Sequence, residues 1–148
     1  MLVLRFQVDQ TLYAVPVKQV IEVVPRVELR RIPHASPCFL GLLHYRGGAI
    51  PVVDLGLLMG GAACADRLDT RILLVRTTME GGRMGLLAER VNELVEVAES
   101  RMAMTTPLMH SAPNLAEVYE TDTGLLQLID PGRISVTSAL ESEGTASP

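Results

Sequence analysis

The stretch His44–Gly56, HYRGGAIPVVDLG, decides the fold. An arginine and two glycines come first, a β-branched apolar run follows, and Asp54 closes it. Adjacent glycines supply the left-handed backbone that a tight turn needs. The flanking runs GLLHY and AIPVVDL are therefore expected to pair as a hairpin across Gly47-Gly48. Pro51 has no N–H and marks an edge or ladder-free position. Asp54, standing before LGLLM, is expected to cap a short helical turn by accepting backbone N–H bonds.

Upstream the pattern is similar. LVLRFQV (2–8) and LYAVPV (12–17) flank an Asp-Gln-Thr link and read as a second hairpin. Val17, Val20, Ile21 and Val24 have helical spacing, but so many β-branched side chains are stiff at χ1. One helical turn near 17–20 is expected, then a strand to about Val24 ended by Pro25. SPCFL (36–40) suggests a short helix with Ser36 as N-cap and Pro37 at its first position.

Downstream the pattern begins again. MGGAACADRLDT (59–70) is the best internal boundary, small and glycine-rich, then charged. RILLVRT and RMGLLAERV read as strands around MEGG. ERVNELVEV then echoes VKQVIEVV: with an offset of 71, Val20 falls on Val91, Glu22 on Glu93 and Val24 on Val95. With an offset of 76, GAIPVVDL falls on GLLQLIDP, so Gly48 meets Gly124 and Asp54 meets Asp130. Common order and similar offsets imply two copies of one β unit. Repeated short strands with few helices imply an all-β protein of two small barrels, whose closure removes exposed edges. The tail SALESEGTASP reads as small, polar and frayed.

Composition removes several functions. Thirteen lysines and arginines against seventeen acids give a net charge of −4 over 148 residues, with no basic block to meet nucleic-acid phosphates. The absence of Trp, with two Phe and three Tyr, leaves no stacking platform for single strands. MLVLRFQVDQ lacks the apolar core and cleavage site of a signal peptide. No apolar run approaches the roughly 20 residues that cross a bilayer. Cys38 and Cys64 show no CxxC spacing and fit a reducing compartment, so a cytoplasmic protein is expected.

Candidate chemistry is sparse. Asp122-Thr123-Gly124 spells the aspartic-protease triplet, and a dimer could pair two such aspartates to split their pKa values. However, the preceding YET is polar where an apolar strand is needed, and only 24 residues follow. By the repeat, TDTG occupies the place of YRGG and is a hairpin turn. His34, Cys38, His44 and Cys64 match no zinc spacing, and His110 has no identifiable partner. The glycine pairs lack phosphate-loop spacing, and no nucleophile elbow is present. A small-ligand sensor would need a convergent polar set that the sequence does not show. Glu22, interrupting an apolar run, and Arg46, at a glycine-flanked tip, remain. Either each simply solvates its surface, or they flank an apolar strip that docks a partner, a role suited to arginine's planar fork.

The patterns YAVPVKQVIEVV, IPHASPCFLGLLHYRG and IPVVDL, continued by ILLVRT, GLLAERVNELVEV and GLLQLIDPGRI, together resemble the CheW-like chemotaxis coupling-protein family. The resemblance covers about residues 2–136. It implies two five-stranded barrel lobes, of about 12–66 and 70–136 with strand exchange near the termini left open, on a shared hydrophobic interface, with 137–148 as a flexible tail. It also implies a non-enzymatic adaptor between a chemoreceptor's cytoplasmic helical tip and a CheA-type histidine kinase, without cofactor or metal. Receptor contacts carried over by position fall at Val20, Glu22, Arg46, Ile72 and Leu94, and kinase contacts at the lobe ends. Two alternatives remain: a kinase-binding module that bridges no receptor, and the dimeric hydrolase. Self-association is left open. The sequence departs from the family at His44, usually asparagine, at Gly56, usually arginine, and at Glu89, where the family has aspartate.

Overall fold

The computed structural model describes residues 1–33, 35–77, 82–104 and 115–134. His34, His110, most of MEGG and the tail lie outside them. The protein is all-β. Its strands are β1 (Leu2–Val8), β2 (Thr11–Pro16), β3 (Val20–Pro25), β4 (Phe39–Tyr45), β5 (Gly48–Asp54), β6 (Arg71–Arg76), β7 (Arg83–Glu96), β8 (Met102–Met104), β9 (Leu115–Thr121) and β10 (Gly124–Ile129). Helix α1 (Leu55–Leu58) is one turn, and 3₁₀ turns cover Val17–Gln19, Glu99–Arg101 and Pro131–Arg133.

Strand pairing divides the chain into two lobes that exchange hairpins. Lobe one contains β3, β6, the first half of β7, β5 and β4. Lobe two contains the second half of β7, β1, β2, β10, β9 and β8. The β1–β2 hairpin thus joins strands from the end of the chain, while β6–β7 joins β3–β5. The two repeats match residue by residue. Val52 pairs with Gly85 in lobe one, and its equivalent Leu128 pairs with Ala14 in lobe two; both ladders are parallel. Glu22 pairs with Leu74, and Glu93 with Arg5. Arg76 pairs with Arg83, and Gln7 with Leu12. The lobes are barrel-like rather than closed. No ladder joins β3 to β4, and among the described residues of the segment between them only Arg30 bridges, to Leu42.

Three apolar clusters explain the sequence patterns. Leu43, Ile50, Val52, Ile72, Leu74 and Leu87 fill lobe one, and Val3, Ala14, Tyr119, Leu126 and Leu128 fill lobe two. Between them lies a shared core that includes Leu4, Phe6, Val15, Leu73, Val75, Met84, Leu86 and Ile129. Strand β6 sends Ile72 and Leu74 into lobe one, and Leu73 and Val75 into the shared core. Burial on both faces is why ILLV is a continuous apolar run instead of an alternating one. Each such side chain stabilises the fold by about 1.5–3 kcal/mol on transfer from water.

Local chemistry sets the connections. Asp9 and Gln10 take φ of 49° and 68°, the two-residue hairpin geometry that matches strand twist. Asp54 is 2% exposed and accepts hydrogen bonds from the Leu57 and Cys64 N–H groups, which caps α1 and ties down the loop after it. Its repeat mate Asp130 caps the Pro131–Arg133 turn through the Gly132 N–H. The short helix expected at 36–40 does not form. The Phe39 N–H closes a turn onto the Ser36 carbonyl at 3.0 Å, and β4 starts there. The Cys38 carbonyl accepts from the Asp54 N–H at 2.8 Å, so this backbone is already committed to sheet pairing and the burial of Phe39.

Candidate functional site

The β4–β5 hairpin ends in a turn at Arg46-Gly47, with φ of 48° and 80°. An arginine in the left-handed region is uncommon and costs energy that a glycine would not. The turn directs the Arg46 guanidinium over the Tyr45 ring, 5.2 Å from its centroid, and toward Glu22 Oε1 on β3 at 3.7 Å. Loss of hydration, then a hydrogen bond to Glu22, raises the Tyr45 hydroxyl pKa above its ordinary value. The Arg46 side chain is 74% exposed and that of Glu22 39%. Exposed ion pairs contribute only about 0–1 kcal/mol, so stability does not account for this arrangement. It presents a cation, a carboxylate and a phenol in fixed relation at the end of lobe one.

Among the residues expected from sequence, Glu22 and Arg46 meet. Val20 begins the same strand and is half-buried against the shared core. Leu94, on the second half of β7, is 59% exposed and pairs with Leu4. It stands in lobe two at the position equivalent to Val23, which is 37% exposed. Ile72 is fully buried in the lobe-one cluster and offers no surface, so it leaves the docking set. Ile72 is carried over by position from the family resemblance, and the apolar run around it is the signature of a strand buried on both faces. Sequence reasoning missed Tyr45, although its position beside Arg46 was a signal. It also missed Arg83, whose guanidinium lies against Gly48: a Cβ at Gly48 would stand 3.3 Å from Arg83 Nη2.

The other candidates have structural roles. Asp122 is 97% exposed in the β9–β10 turn and pairs with Arg101 at 3.2 Å, far from the dry, paired setting a protease aspartate needs. Cys64 is buried, donates its thiol to the Leu87 carbonyl, and has its pKa pushed up to about 12, first by burial. Among the described residues, no group of His, Cys, Asp or Glu side chains could hold a metal, and no helix is long and apolar enough to cross a membrane. A cavity of about 540 Å³ opens at the other end of lobe one between Arg26, Arg31, Leu40 and Leu87. Arg26 on its rim pairs with Asp66, also on the rim, and no nucleophile–base pair converges on it.

Residues 2–138 match the family model described as CheW-like domain. The chain is 24% identical over 132 residues to Chemotaxis protein CheW of Thermotoga maritima, covering 89% of this chain and 85% of that one. It is 28% identical over 88 residues to Chemotaxis protein CheW of Helicobacter pylori, covering 60% of this chain and about half, 52%, of that protein. The crystal structure of scaffolding protein TtCheW from Thermoanaerobacter tengcongensis superposes with a TM-score of 0.79 at 25% identity, covering 88% of this chain and 84% of that one. Matched along nearly its whole length, the chain belongs to the CheW-like domain family, as a non-enzymatic scaffold of the chemotaxis type.

Proposed function

We propose that the protein is an adaptor that couples the cytoplasmic helical tip of a chemoreceptor to a CheA-type histidine kinase in the cytoplasm. The supporting observation is the exposed Glu22–Arg46 pair, held by a left-handed turn and stacked on Tyr45, where it adds little to stability. Few central anchors supply most of the affinity of a docking face. Arg46 can bond side-chain carboxylates or helix-end carbonyls in a fixed direction. Val20 supplies apolar surface beside the pair, and Leu94 is the contact proposed on lobe two. The kinase takes the lobe ends. Holding both partners on one rigid body raises their effective concentration and lets receptor conformation bias the kinase.

Co-purification tests this reading. A purified receptor cytoplasmic fragment and kinase should be recovered together on the tagged chain. Arg46→Ala should lose the receptor and keep the kinase. Mutually exclusive recovery would favour a kinase-binding module that bridges no receptor. Recovery of neither would reject the adaptor reading.

A further inference from the structure

Further cationic residues stand on the strand ends at the same tip as the Glu22–Arg46 pair. Arg76, at the end of β6, stands directly opposite Arg83, at the start of β7. Arg76 donates to the Lys18 carbonyl at 2.9 Å, which brings the Lys18 turn alongside. Arg83 rests against Gly48, on the hairpin that carries Arg46, and its charge acts on the Tyr45 hydroxyl. The strand ends and turns at this tip thus carry four cationic residues on a chain of net charge −4, with Arg46 the one paired to Glu22. Like charges directly opposite across two strands destabilise a sheet. Among the described residues, no ion pair engages Arg83 or Arg76.

The second repeat shows that the fold does not demand this charge. At the matching backbone positions, Arg76 and Arg83 become Gln7 and Leu12, Arg46 becomes Asp122, and Lys18 becomes Glu89. The acid is retained, as Glu93 in place of Glu22. The same architecture therefore stands without one of these cations.

We propose that the lobe-one tip reads an acidic protein surface, with Arg83 as a second carboxylate-binding residue beside Arg46. This rests on the tip being the docking face. The partner chemistry is a helical surface bearing exposed Asp or Glu side chains. Two guanidinium groups flanking Tyr45 can hold two such carboxylates, while Arg76 and Lys18 steer the approach. Rim charges of this kind act on association and on its salt dependence.

The test measures affinity of the full chain for a purified receptor cytoplasmic fragment at 50 and 300 mM salt. In parallel, arginine side-chain NMR signals are followed on titration with a 20-residue glutamate-rich helical peptide. Arg83→Gln should weaken fragment binding by about fivefold at low salt and by less at high salt. Arg83→Lys should retain most of the affinity, and Asp122→Asn should change nothing. The peptide should shift Arg46 and Arg83, with the Arg46 shift reduced in Arg83→Gln. An Arg83→Gln chain that binds like wild type at both salts would overturn the proposal and leave the receptor reading intact. If the wild-type chain fails to bind the fragment, the receptor reading falls and the peptide decides. Shifts centred on Arg46 and Arg83 uphold the proposal; no shifts, or shifts spread over both tips, overturn it. Equal binding to phosphatidylserine vesicles would also overturn it, because any anionic surface would then suffice.

Discussion

The two hairpin tips share register and an acid on the neighbouring strand, yet differ in turn backbone, left-handed at Arg46 and Gly47 but not at Asp122 and Thr123, and carry opposite charge at the turn residue. In lobe one the turn residue is Arg46, beside Glu22 and Arg83. In lobe two it is Asp122, held by Arg101, and the acid Glu93 is neutralised by Arg5 from the strand beside it. Arg5 occupies the place of Leu74, which is buried in lobe one. The difference separates what builds the fold from what uses it. Core pattern, the glycine that closes the turn (Gly48, Gly124) and capping aspartates recur in both copies. Charge at the tips does not recur.

Perturbing matched positions in the two lobes sharpens that separation. The largest effect should come from the caps. Asp54→Ala strands the Leu57 and Cys64 N–H groups in a buried site and should cost about 3 kcal/mol. Asp130→Ala loses a half-exposed cap and should cost about 1 kcal/mol. Urea denaturation of the two variants measures both. Equal losses would mean that the lobes depend alike on their caps.

Gly85 and Ala14 form the next pair. A Cβ at Gly85 would sit 2.8 Å from Val52 Cγ2 and 2.9 Å from Ile72 Cγ2, whereas Ala14 carries its methyl in the tightly packed equivalent site. Gly85→Ala should destabilise by about 2 kcal/mol through overpacking. Ala14→Gly should cost about 1 kcal/mol through backbone freedom and lost burial. Thermal unfolding ranks them, and a neutral Gly85→Ala would show that lobe one has slack that the packing denies.

At the tips, Arg46→Ala should weaken receptor binding about tenfold, or about 1.4 kcal/mol. Asp122→Ala should leave it unchanged, and neither should move the melting midpoint by more than the small worth of a surface pair. Calorimetric titration and melting curves read these effects. The smallest effect near neutrality belongs to Cys64. Its folded pKa of about 12 lies above the ordinary 9.0, so the fold favours the protonated thiol. The resulting stability is complete below about pH 9 and declines as pH rises toward 12. Cys64→Ala should flatten this slope, while native Cys64 should resist alkylation at pH 8.

Most of the architecture could be read from the sequence because it follows local periodicity. The hairpins at 44–56 and 2–17, the capping role of Asp54 and the turn at Asp122-Thr123 all rest on short-range chemistry. The offsets of 71 and 76 recur in the strand registers themselves. Strand exchange near the termini stays open in the sequence, because strand partners are chosen by the shared core and not by neighbours in the chain. Ile72 is carried over by position from the family resemblance, and position in a sequence does not say which face a side chain shows to solvent. Glu22 and Arg46 were legible as exceptions to their surroundings. Arg83 was not, since only the β6–β7 register and the Gly48 contact bring it to the tip.

Amide hydrogen exchange of the chain alone and bound to a receptor cytoplasmic fragment tests most directly whether lobe one carries the docking face. Slower exchange is expected in β3 and across the Tyr45–Gly48 turn, with the Thr121–Gly124 turn unchanged. Protection confined to the lobe-two turn, or absent from both, would contradict the account.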